Sequence, residues 1–202
     1  MYIVIEGPWG AGKSVLTPIL AFELKKKYPR KSVITVNEPG SSEIANAIRK
    51  LVQGTKFKEK MLAFADVYLY AAARAQLLKS VVEPVLASDG IVISDRSFLS
   101  SLAIQGYGQD LGIKRVLEIN WPVIKDFIPD VVFYVNADIK KSINQTSDSF
   151  GDKFETQDLK FLKKCIKGYK ILRKDKRLTK KWVNVNGEVS SKANLKRILK
   201  YL

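Results

Sequence analysis

Short runs rich in valine and isoleucine alternate along this chain with longer stretches in which apolar residues recur every three or four positions. The continuous runs predict strands at 2–6, 32–36, 91–94, 131–135 and 182–185, because a strand buried on both faces has no polar side to show. The wider spacing predicts helices at about 13–28, 41–53, 58–88, 97–106, 112–127, 155–176 and 190–201. Strand and helix in alternation mark an α/β fold, a parallel sheet covered by helices. Residues 144–154 break the texture, being small and polar between two helical patterns, and are expected to form a mobile loop or lid. No internal repeat or separating linker interrupts the rest, so residues 1–202 are read as a single domain.

Composition narrows the chemistry. With 46% hydrophobic and 27% charged residues the chain can bury a core, and whole-chain disorder is excluded. No apolar run approaches the ~20 residues of a membrane span, and the start lacks a secretory pattern, so a soluble, cytoplasmic protein with no membrane partner is expected. The single cysteine, Cys165, cannot form an internal disulfide, and its neighbours Leu162, Ile166 and Tyr169 mark it as core filling. With no histidine at all, the common zinc sites and any Ser-His or Cys-His nucleophile are excluded, which leaves oxygen, amine and backbone chemistry.

Charge adds a partner class. Lys and Arg outnumber Asp and Glu 35 to 20, and residues 138–202 alone carry 18 basic against 7 acidic side chains. Such a surface attracts polyphosphate, nucleic acid or anionic membrane, but the lysines are dispersed among apolar residues, as on a solvated helical face. Nucleic acid is therefore not the expected partner.

Four motifs carry chemistry. Gly7-Pro8-Trp9-Gly10-Ala11-Gly12-Lys13-Ser14, followed by Val15, matches the G-x-x-x-x-G-K-[ST] phosphate loop between a first strand and a first helix. Its backbone N–H groups would cradle ATP, Lys13 would reach the β- and γ-phosphates, and the Ser14 hydroxyl would ligate Mg²⁺. Asp95-Arg96-Ser97 ends the third strand at the carboxyl edge of the sheet, where ligands of open α/β sheets bind. There Asp95 is a candidate Mg²⁺ group and Arg96 a candidate brace for transferring phosphoryl oxygens. Glu38-Pro39-Gly40 follows the second strand, a turn that is also placed to meet a sugar hydroxyl or the metal shell, with Arg49 further along the next helix. Tyr70 and Arg74, at i and i+4 around alanines, set an aromatic plane and a guanidinium on one helical face, a pairing suited to a nucleobase or to plain helix packing.

In order and spacing these segments resemble thymidylate kinase, a P-loop nucleoside monophosphate kinase family, over nearly the whole chain. The resemblance extends through Ser100-Ser101-Leu102-Ala103-Ile104-Gln105-Gly106, Asn120, Pro129-Asp130, Asp152-Lys153-Phe154-Glu155 and Gly168-Tyr169. It implies a five-stranded parallel sheet with a lid, transfer of the γ-phosphate of ATP to dTMP, and Mg²⁺. By the same resemblance Tyr70 stacks on thymine, Arg74 bonds the base, and Arg49 and Arg96 grip the acceptor phosphate. Glu38, Ser101, Ile104 and Gln105 complete the acceptor site, and Lys153 is the lid cation assisting Lys13, Asp95 and Arg96 in catalysis. A homodimer joined through the helices at 58–88 and 97–106 is the implied assembly.

The chain also departs from the family. Pro8 and Trp9 stand where an Asp or Arg is common, Asn37 where an arginine is frequent, and Gln145 and Lys153 where lid arginines are expected. Ile104 replaces a tyrosine that crowds the sugar 2′ position, and Ser101 a larger amide, so relaxed acceptor specificity is expected. Two other functions fit parts of the pattern: a deoxynucleoside kinase, suggested by Asp95-Arg96-Ser97, and a non-catalytic paralogue binding nucleotide or nucleic acid.

Overall fold

Five parallel strands form the sheet of the computed structural model, which describes residues 1–54, 57–137 and 159–202. In chain order the elements begin with β1 Tyr2–Glu6, α1 Lys13–Lys27, β2 Val33–Asn37 and α2 Glu43–Gln53. They continue through α3 Ala63–Leu77, α4 Glu83–Ala87, β3 Ile91–Asp95, α5 Phe98–Ser101 and α6 Ile113–Ile124. The last are β4 Val131–Asn136, α7 Leu159–Leu172, β5 Trp182–Asn186 and α8 Ser191–Leu199. The strands lie in the order β2-β3-β1-β4-β5, so β1 and β3 are central and both strands end beside the loops that carry the motifs.

The period of two in each strand divides the core between two faces. Tyr2, Val4, Val92, Val132 and Tyr134 meet Leu77, Leu102, Val116, Ile124 and Tyr169 on one side. Ile3, Ile5, Ile93, Phe133 and Val135 meet Leu16, Leu20 and Leu24 of α1 and Leu195 and Ile198 of α8 on the other. Each such aliphatic side chain contributes roughly 1.5–3 kcal/mol when fully buried. Helix starts follow local chemistry: the hydroxyls of Ser42, Ser97 and Ser190 accept backbone N–H groups of Ala45, Leu99 and Ala193.

The five strands agree with the sequence to within a residue or two at the ends, and Cys165 is buried as core, with burial pushing its thiol up to about 12. The expected helix 58–88 instead starts at Ala63, because most side chains just before it, Phe57 and Leu62 among them, are exposed and give no apolar face to bury. It then passes through a wide π turn, Leu78–Val82, just ahead of Pro84, where Glu83 N–H reaches back five residues to Leu78. Pro84 has no N–H to continue the regular ladder, which is one reason for the irregular turn there. A second wide turn, Leu102–Gly108, follows α5. Gly168 lets α7 pack directly on it, since a Cβ at that position would lie 3.2 Å from the Ala103 backbone. Residues 97–106 are thereby buried within the protomer and offer no surface to a second copy.

Candidate active site

The loop between β1 and α1 is shaped by glycine. Gly7 has φ 148°, and a Cβ there would stand 2.4 Å from the Val135 carbonyl oxygen, so no other residue fits without displacing β4. Gly12, in the left-handed region at φ 82°, turns the chain into α1 at Lys13. Lys13 is 6% exposed, and its Nζ donates to the Pro8 carbonyl at 2.7 Å. Burial pulls its ammonium down to about 7; Arg96 pushes the same way, while Asp95 and Glu6 oppose. The loop thus folds its lysine back on itself through that bond.

The sheet register delivers the next group. Asp95 is paired with Ile5 on one side and Asn37 on the other, so the ends of β1, β2 and β3 are level. From there Asp95 Oδ2 accepts the Ser14 hydroxyl at 2.9 Å. The next residue, Arg96, has φ 72°, a conformation that costs a non-glycine residue roughly 1–2 kcal/mol. Surrounding contacts hold it there: its N–H donates to Ile5 O, its carbonyl accepts Ser94 Oγ, and its Nη1 donates to Gly7 O and Ser100 Oγ, both at 3.2 Å. The guanidinium lies over the Trp9 ring, 5.0 Å from its centroid.

The far end of the cleft is built around Arg74. Only 2% exposed, it donates Nε to Glu38 Oε2 at 2.6 Å, Nη1 to Asn120 Oδ1 and Nη2 to Ser101 Oγ at 3.2 Å. Burial pushes the Glu38 carboxyl up and Arg74 pulls against it. Arg49 Nη1 donates to Pro39 O at 2.7 Å, tying α2 to the Glu38-Pro39-Gly40 turn, and Asn37 Nδ2 bonds the same carbonyl. Gln105 donates to Asp66, while its Oε1 is buried with no partner among the described residues.

Residues from Trp9 to Val15, together with Glu38, Arg49, Tyr70, Arg74, Asp95, Arg96, Ser101, Ile104 and Gln105, line one cleft of about 1700 Å³. Gly7 adjoins it through the carbonyl bonded by Arg96, and Pro8 through the carbonyl bonded by Lys13. Lys153, Gln145 and the lid expected at 144–154 lie outside the described residues.

Sequence reasoning missed Glu6. Fully buried at the end of β1, it accepts hydrogen bonds from Ser97 Oγ, Ser100 Oγ and Tyr169 OH, each at 2.8 Å. Ser100 in turn receives Arg96, so Glu6 anchors the group that orients the guanidinium. The available signal was an acid directly before Gly7 at the end of an otherwise apolar strand, a placement that demands partners.

Comparison with known proteins agrees with this geometry. The pattern that describes the Thymidylate kinase family matches residues 5–197. The thymidylate kinase of Buchnera aphidicola subsp. Schizaphis graminum is 37% identical over 205 residues, covering 100% of this chain and 95% of that protein. That of Finegoldia magna is 36% identical over 181 residues, covering 88% and 87%. The crystal structure of thymidylate kinase from Ehrlichia chaffeensis superposes with a TM-score of 0.81 at 23% identity, covering 100% of this chain and 97% of that one, which shows the shared fold.

Proposed function

The chain belongs to the thymidylate kinase family and is a nucleoside monophosphate kinase, and from that premise we propose how its cleft transfers the γ-phosphoryl group of ATP to dTMP. The observation that supports the assignment of roles is the continuity of one cleft from the phosphate loop, past Arg96, to Tyr70 and Arg74. ATP lies on the loop from Gly7 to Val15 with Lys13 at its β- and γ-phosphates. The acceptor lies with its phosphate at Arg96 and Arg49 and its base against Tyr70. Arg74 holds the Glu38 side of that pocket, and Ser101, Ile104 and Gln105 line it.

An oxygen of the monophosphate attacks the γ-phosphorus, the bond to the β,γ-bridging oxygen breaks, and ADP leaves. The nucleophile is already anionic, so the step needs positioning and charge neutralisation more than a general base. Lys13 and Arg96 supply both; Lys153 is assigned the same task from the lid.

Mg²⁺ fits beside Ser14 and Asp95, whose oxygens lie 2.9 Å apart. A hydroxyl and a carboxylate are hard oxygen donors of the kind Mg²⁺ takes, and these two side chains would hold it. Bound there, it would neutralise charge on the transferred group.

The protein is further proposed to be a homodimer. Phe64, Tyr68, Ala71 and Ala72 of α3 and Ile119 and Pro122 of α6, with Arg115 and Glu118 beside them, line a groove of about 730 Å³, and Phe64 and Tyr68 are exposed. A second copy of the same largely apolar face is its occupant, and light scattering should give about twice 22.7 kDa, falling to one copy in Y68D. No helix among the described residues is long and apolar enough to cross a membrane, and the cytoplasm, where ATP is made and used, is the proposed location.

An acceptor screen with ATP and Mg²⁺ across the nucleoside monophosphates and thymidine tests the whole reading. It predicts dTMP as the best acceptor; faster transfer to thymidine than to dTMP would overturn it.

A further inference from the structure

The geometry points to Trp9 as a positioning residue for Arg96, its indole face holding the guanidinium where the acceptor phosphate arrives. A loop that presents backbone N–H groups to phosphate has no need of a large side chain, yet Trp9 is only 8% exposed. Its ring leaves the loop and packs with Tyr70, Ile104, Leu162 and Cys165. There it underlies Arg96, whose guanidinium carbon is 5.0 Å from the ring centroid.

Two features make this more than packing. Arg96 has a left-handed backbone, so its side chain leaves β3 in an uncommon direction and needs a support to define where it ends. A ring face supplies that support without consuming the N–H donors, which lie in the guanidinium plane, or cancelling the charge. Because Trp9 belongs to the donor loop, the same contact ties the placement of the acceptor cation to the loop that holds ATP.

This inference rests on the placement of the acceptor phosphate at Arg96, and the experiment separates the two. In W9L, which stays apolar but loses the ring along with some volume, kcat/KM for dTMP should fall at least about tenfold, and W9F, which also loses volume but keeps a ring face that attracts a cation, should lose no more than about threefold. Thermal stability is measured alongside, because a purely structural loss would follow Tm and not aromaticity. A second readout uses the full chain labelled with 5-fluorotryptophan, which has three fluorine resonances, that of Trp9 being the one absent from W9F. Saturating dTMP should move this resonance in the parent protein further than thymidine does, since both bring a base to Tyr70, in the same cluster as Trp9, but only dTMP brings a phosphate to Arg96. Equal activity of W9L and W9F with R96A inactive overturns the role of Trp9 alone, as does a Trp9 resonance that dTMP moves no further than thymidine does. Full turnover by R96A overturns the reading of Arg96 and the inference with it.

Discussion

Ser14 Oγ donates to Asp95 Oδ2 across 2.9 Å, joining the first turn of α1 to the last residue of β3. The contact brings a hydroxyl and a carboxylate from distant parts of the chain to one point beside the phosphate loop. D95N keeps the shape and removes the charge, so it should raise the Mg²⁺ concentration needed for half-maximal turnover. A titration of rate against Mg²⁺ checks this; an unchanged midpoint would remove Asp95 from the metal's surroundings.

Lys13 gives a prediction with a sign. Burial pulls its ammonium down to about 7, so near pH 8.5 the lysine of the ligand-free protein is mostly neutral. A polyphosphate beside it favours the charged form, so ATP binding should take up protons at that pH. Calorimetry in two buffers of different ionisation enthalpy measures the uptake, which should be lost in K13M. For stability the direction follows from the same depression. Between about 7 and the ordinary 10.5 the unfolded chain binds more protons than the folded one, so this group's contribution to stability rises with pH across that window. K13A should abolish detectable transfer with the fold intact.

Glu38 and Arg74 form a buried pair, their side chains 3% and 2% exposed. Removing one partner leaves the other charge stranded, at a cost of about 3–5 kcal/mol. R74M should therefore lower unfolding stability by that order in urea titrations, and R74M/E38Q should recover part of it. A loss below about 1 kcal/mol would mean that water already reaches the pair.

Ile104 addresses selectivity. It is 5% exposed on the cleft wall in the same apolar cluster as Tyr70 and offers no hydrogen bond to a sugar hydroxyl. Shape alone rejects an added hydroxyl, or a missing methyl, by only about 10²-fold each, so dUMP, which lacks the methyl, and UMP, which also adds a hydroxyl, should be measurable acceptors beside dTMP. I104Y should sharpen deoxy over ribo preference. Rejection of both by more than about 10⁴ in kcat/KM in the parent protein would exclude a pocket of this kind.

Much of this was legible because parallel strands buried on both faces cannot hide: Ile91 to Ser94 and Val131 to Val135 are apolar throughout or nearly so. The phosphate loop was legible because its glycines and lysine meet a local demand. Contacts made across long chain separations were not. Glu38 could be read as a turn or a ligand contact, and Arg74 as half of a base-binding face, but their mutual bond spans 36 residues and no periodicity encodes it. The wide turns at Leu78–Val82 and Leu102–Gly108 escaped for another reason: an extra residue in a helical turn leaves the hydrophobic spacing almost unaltered.

The level ends of β1, β2 and β3 have a consequence for heat resistance. Asp95 is fixed by the same inter-strand ladder that seals both cores, so this part of the cleft has no independent melting point. A strand cannot slip by one residue to relieve strain, since that would turn Ile91 and Ile93 to the wrong face while carrying Asp95 away from Ser14. Substitutions at the far end of β3, remote from any substrate, should therefore shorten the lifetime of activity on warming as much as they shorten the lifetime of the folded chain.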